Sequence, residues 1–71
     1  PTPRELDILK VLWEHGPLAV ADVHRLLPPA DGRRVALTTV QTLIRLMETK
    51  GLVRHTAEGR AFVYAAVYSR E

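Results

Sequence analysis

Apolar residues at the start of the chain recur at helical spacing. At ~100° per residue, Leu6, Ile8, Leu9, Leu12 and Trp13 fall on one broad face, and Asp7, Lys10 and Glu14 fall opposite. Thr2-Pro3-Arg4-Glu5 reads as the start of this helix: Thr2 caps, Pro3 is tolerated in the first turn, and Glu5 closes a capping box. Gly16-Pro17 ends it, which predicts a helix over residues 3–15. Leu18-Ala19 reads as either a small strand or a connector. Val20, Val23, Leu26 and Leu27 then return to helical spacing until Pro28-Pro29 stops a second, short helix. Residues 30–35 form a loop holding Asp31-Gly32-Arg33-Arg34.

A third helix is predicted over residues 37–50. Leu37, Val40, Leu43, Ile44 and Met47 line one side, and Thr38, Thr42, Arg45 and Thr49 line another. That polar stripe carries no acid; Glu48 sits at its margin, toward Gln41. Gly51 ends the helix, with Lys50 favourably placed against the helix dipole. Ala36, at the expected N-cap, is a poor capping residue, so a threonine side chain or a phosphate is needed to satisfy the first amides. The period then changes. Residues 52–56 and 61–65 are rich in β-formers and flank a glycine-containing turn at Ala57-Glu58-Gly59-Arg60, the pattern of a β-hairpin. A lone hairpin is marginal, so it must pack on the helices. The expected fold class is α+β: a winged helix-turn-helix, three helices followed by a hairpin wing, with room for a short extra strand at 18–19.

Composition narrows the function. With 71 residues the chain is one small domain, 1–71, and 46% hydrophobic residues suffice for one core. The chain has no cysteine, which excludes a disulfide framework and a thiolate zinc site and fits a reducing cytoplasm. The apolar runs fall far short of the ~18 residues that span a bilayer, and no signal peptide is visible, so no membrane partner is expected. The chain begins with Pro1 and ends in the polar Tyr68-Ser69-Arg70-Glu71, which reads as a piece cut from a longer protein. Net charge is +2, but residues 1–32 carry −2 and residues 33–71 carry +4. Such asymmetry suits either a polyanion on one face or a solvated mixed surface.

A helix that enters a major groove needs an outward side without acidic or bulky apolar groups. Thr38, Thr42, Arg45 and Thr49 meet that need. Threonine bonds bases or phosphates and touches the thymine methyl; arginine binds guanine through two hydrogen bonds or neutralises a phosphate. Arg33 and Arg34, just before this helix, lie where backbone phosphates would pass. Arg54, His55 and Arg60 on the wing suit the sugar-phosphate backbone or the minor groove.

The stretch Thr38-Thr39-Val40-Gln41-Thr42-Leu43 resembles the penicillinase-repressor and methicillin-resistance repressor family (BlaI/MecI type), to which copper-responsive CopY-type repressors are related. The resemblance covers nearly the whole chain: residues 5–13, Thr39-Val40-Gln41-Thr42, Lys50-Gly51-Leu52-Val53, and Glu58-Gly59-Arg60-Ala61-Phe62-Val63-Tyr64. Each piece is short; their order and spacing make the set specific. The resemblance implies a dimeric repressor whose third helix reads a palindromic double-stranded DNA operator. It places Thr38, Thr39 and Thr42 in the DNA-contacting stretch. The family often has arginine where this chain has Leu46; here the neighbouring cation is Arg45. The resemblance also implies a following helical dimerisation region, absent from this chain. In lactam-resistance members that region holds the proteolytic site that ends repression, which makes a protease the inducer; in CopY-type members a cysteine-rich tail binds metal.

Other features take plainer readings. Trp13 lies on the apolar side of its helix and is expected to pack in the core rather than stack on a base. Phe62 and Tyr64 share one strand face and are also expected in the core, although Ala61, Val63 and Ala65 make the other face apolar too. His15, His24 and His55 sit irregularly on three elements without a cysteine, so no metal or cofactor is expected; His15 suits a helix C-terminus. Asp7 with Glu5 or Glu14 has no pocket around it, and no phosphate-cradling loop or nucleophile motif is present, so no enzyme is expected. The alternative to DNA reading is a winged helix that binds protein, toward which Leu46 leans.

Overall fold

The computed structural model describes residues 2–29 and 32–68. Ala30 and Asp31 of the expected loop, and the polar end at 69–71, lie outside the described residues. The elements run α1 (Pro3–His15), β1 (Leu18–Ala19), α2 (Val20–Leu26), α3 (Leu37–Thr49), β2 (Val53–Glu58) and β3 (Ala61–Ala66). This is the expected winged helix order.

The α1 start is the capping box read from sequence. Thr2 Oγ1 accepts from the Glu5 amide at 3.2 Å, and Glu5 Oε1 accepts from the Thr2 amide at 2.9 Å. At the far end of α3, Gly51 takes φ 81° and donates to the Glu48 carbonyl at 3.0 Å, while Leu52 donates to the Met47 carbonyl at 2.9 Å. These two bonds form a Schellman closure, which needs the left-handed conformation that glycine adopts without steric cost.

The short 18–19 segment is a strand. It pairs antiparallel with β3, Leu18 opposite Tyr64 and Ala19 opposite Val63, giving a sheet of order β1-β3-β2. The hairpin is tighter than the sequence suggested: β2 and β3 stay paired out to Glu58 opposite Ala61, leaving Gly59-Arg60 as a two-residue turn. Gly59 has φ 63°, as the first central residue of such a turn can require.

All three helices and the root of the hairpin meet in one core. Ile8, Val23, Val40, Ile44 and Met47 are wholly buried, with Val53 and Tyr64 closing the sheet side. Val11 joins this core, so the buried face of α1 is wider than the periodicity alone implied. Trp13 is half-buried against the core, and its Nε1 donates to the Tyr68 carbonyl at 2.8 Å, tying α1 to the chain beyond β3. Between α2 and α3, a His24 ring nitrogen lies 2.7 Å from the Val35 carbonyl. Since a carbonyl only accepts, Nε2 carries the proton there.

Glu5 does more than cap. It is buried, and its Oε2 accepts from Lys50 Nζ at 2.9 Å, joining the start of α1 to the C-cap of α3. The Lys50 hydrogen bond is the main reason the Glu5 carboxyl sits below its ordinary value; the Thr2 amide adds to this, and burial opposes it. A native carboxyl with a lowered pKa stabilises the fold fully above the ordinary carboxylate range, and that contribution drains away as pH falls through the lowered native value. Thermal melts from pH 7 to pH 3 should therefore show a steeper acid loss in the native chain than in Glu5→Gln. Identical slopes would show that this pair adds no pH-dependent stability.

Candidate nucleic-acid interface

The placement of α3 follows from its own pattern. Val40, Ile44 and Met47 are each 0% exposed, which fixes the rotation of the helix. The opposite side must then face solvent, and Thr38, Thr39, Thr42, Arg45 and Thr49 are all exposed. Leu46, 48% exposed, shares that side. Ala36 is the N-cap, and among the described residues no side chain caps the first amides of α3.

Two of the threonines have their hydroxyls turned onto the helix itself. Thr42 Oγ1 donates to the Thr38 carbonyl at 3.0 Å, and Thr49 Oγ1 donates to the Arg45 carbonyl at 3.1 Å. The stripe is thus more methyl-rich than the sequence alone suggests. Glu48, at its margin, is drawn away by His55, whose Nδ1 hydrogen-bonds Glu48 Oε2. The His55 ring also lies edge-on to Phe62, with centroids 5.0 Å apart. His55, considered on sequence as a wing contact, is therefore held between the wing and α3.

The cations surround this side. Arg33 and Arg34 are exposed in the segment before α3, and Arg54 and Arg60 are exposed on the hairpin. Arg34 Nη2 donates to the His24 carbonyl at 3.3 Å, so one edge of its guanidinium is engaged by the end of α2. Arg45 borders a shallow groove of about 250 Å³ between α3 and the sheet, shared with Gln41, Phe62 and Tyr64.

Phe62 departs from expectation. Tyr64 is buried, as read from sequence, but Phe62 on the same strand face is 57% exposed. The core ends at the root of the hairpin, and Phe62 sits one step beyond it, opposite Ala57. Period two assigns a face but not a distance from the core edge. The sequence pattern therefore missed Phe62 as a wall of the groove beside Arg45. Its only sequence signal is proximity to the turn.

Comparison with known proteins bears on what this surface does. A profile described as penicillinase repressor matches residues 1–71. A penicillinase repressor from Bacillus licheniformis is 33% identical over 60 residues, which cover 84% of this chain and 45% of that protein. The chain thus spans less than half the length of that curated relative. The solution structure of the DNA-binding domain of the repressor BlaI superposes with a TM-score of 0.81 at 28% identity, over 99% of this chain and 83% of that one.

Proposed function

This chain belongs to the penicillinase repressor family, and we propose that it is the DNA-reading head of a transcriptional repressor. The observation that carries this reading is the acid-free, exposed stripe of Thr38, Thr42, Arg45 and Thr49 on a helix whose opposite side is wholly buried. A buried side locks the helix in rotation, so its outward side chains arrive in the groove pre-positioned. In this reading Thr38, Thr39, Thr42, Arg45 and Thr49 face base edges. Arg33, Arg34, Arg54 and Arg60 neutralise phosphates, and the first two of them precede the start of α3 by a few residues in the chain.

In this reading the repressor works as a homodimer in the cytoplasm, and its inducing signal is proteolysis or a metal, the two that the family resemblance implies. Two linked heads on a palindromic operator gain affinity because the second binds at high effective concentration. None of the residues assigned to the surface has a catalytic role.

The test is salt dependence. Four phosphate contacts predict a log–log slope of about −3.6, so raising salt from 50 to 200 mM should weaken duplex binding by about a hundredfold. Fluorescence anisotropy with a labelled duplex measures this. Affinity that is negligible at 50 mM salt, or flat across the range, would overturn the reading and favour a protein-binding winged helix.

A further inference from the structure

Thr42, Leu46 and Thr49 occupy positions i, i+4 and i+7 of α3, so they line one strip along its exposed side. At ~1.5 Å per residue this strip is about 10 Å long, close to three base steps of ~3.4 Å. Two properties set it apart from a general polar surface. Leu46 is 48% exposed in the middle of it. The hydroxyl hydrogens of Thr42 and Thr49 are already donated to the carbonyls of Thr38 and Arg45.

The second property restricts what these threonines can bind. A phosphate oxygen only accepts, so a hydroxyl must donate to hold it. With their hydrogens committed to the helix backbone, Thr42 and Thr49 present a methyl group and an accepting oxygen. Those are poor partners for a phosphate and for guanine, whose major-groove edge is made of acceptors. They match a thymine C5 methyl and an adenine N6 amine, and a T·A pair carries both in the major groove. Leu46 has no hydrogen-bonding group, and the thymine methyl is the apolar group that a major groove offers it.

Resting on the proposal that α3 enters the major groove, we propose that this strip reads thymine methyl groups, with Leu46 as the central apolar contact and Thr42 and Thr49 beside it. The chain thereby selects A·T pairs at the positions these residues cover. Arg45, on the neighbouring strip, is left to a guanine or a phosphate.

Replacing thymine with deoxyuridine removes the methyl and keeps every Watson–Crick group. The chain is used to select duplexes from a random-sequence library at 50 mM salt. The best duplex is remade with deoxyuridine at each thymine in turn, and anisotropy gives both affinities. Loss of one buried methyl should weaken binding about fourfold, from ~0.8 kcal/mol per methyl-sized group. Leu46→Ala should bind thymine and uracil duplexes with nearly equal affinity at the affected position. Thr42→Val keeps the methyl and should keep the preference for thymine, whereas Thr42→Ser keeps the hydroxyl and should lose it at its own position. All three side chains are exposed, and circular dichroism checks that each variant folds. Equal binding of thymine and uracil duplexes by the native chain, or an undiminished preference in Leu46→Ala, would overturn methyl reading while leaving DNA reading intact. Failure to select any duplex would overturn the DNA reading itself, and this proposal with it.

Discussion

Ile44→Ala is expected to lower the stability of this domain by about 3–5 kcal/mol, out of a total on the order of 5 kcal/mol for a chain this short. Ile44 is 0% exposed and sits between Val40 and Met47, where α3 meets the rest of the core. Truncation removes three carbons from a site walled by other elements, and the cost includes both lost burial and the cavity left behind. Urea denaturation followed by circular dichroism should show the midpoint fall to near zero denaturant. A midpoint within 0.5 M of the native chain, a threshold of roughly 1 kcal/mol, would mean that the core closes around the gap. The damage should reach the proposed function too, because the packing of Ile44 sets the rotation that points Arg45 outward.

Arg45→Ala is the second large effect, with the opposite signature. Arg45 is exposed, and among the described residues its side chain makes no hydrogen bond or ion pair. Its loss should leave the melting temperature within about 4 °C, since surface changes of this kind stay within about ±0.5 kcal/mol. Binding to a selected duplex should weaken by about 1–3 kcal/mol, roughly fivefold to 150-fold, if the guanidinium holds a base edge. Titrations on the selected duplex and on a random duplex separate the roles: a loss confined to the selected duplex marks base reading, and an equal loss on both marks a phosphate contact. Lys10→Ala, exposed on the outer side of α1, is the control and should leave both affinities unchanged. No loss on either duplex would remove Arg45 from the interface.

Features whose cause lies within one turn of chain were legible in the sequence. The Thr2–Glu5 box needs only two residues three apart, and the outward turn of Thr38, Thr42, Arg45 and Thr49 follows once the apolar positions of α3 are pinned inward. Features that depend on where distant segments meet were not legible. Lys50 reads locally as a cation at a helix end; only the crossing of α1 and α3 brings it to Glu5, 45 residues away. Phe62 and Tyr64 have the same face and similar chemistry, and what separates them is where the core stops. Hydroxyl direction in Thr42 and Thr49 is a rotamer choice that residue type leaves open, because threonine in a helix has two accessible wells. That choice changes the chemistry the stripe presents.

The two-residue length of β1 has a mechanical consequence. It braces β3 at Val63 and Tyr64, so among the described residues the ribbon from Phe62 to the turn is two strands wide. Such a ribbon is a cantilever: stiff where it is clamped, compliant at its free tip. The arginine at that tip can swing through small arcs, while nearer its root the ribbon stays tethered to α3, where the Phe62 ring packs on His55 and His55 bonds Glu48.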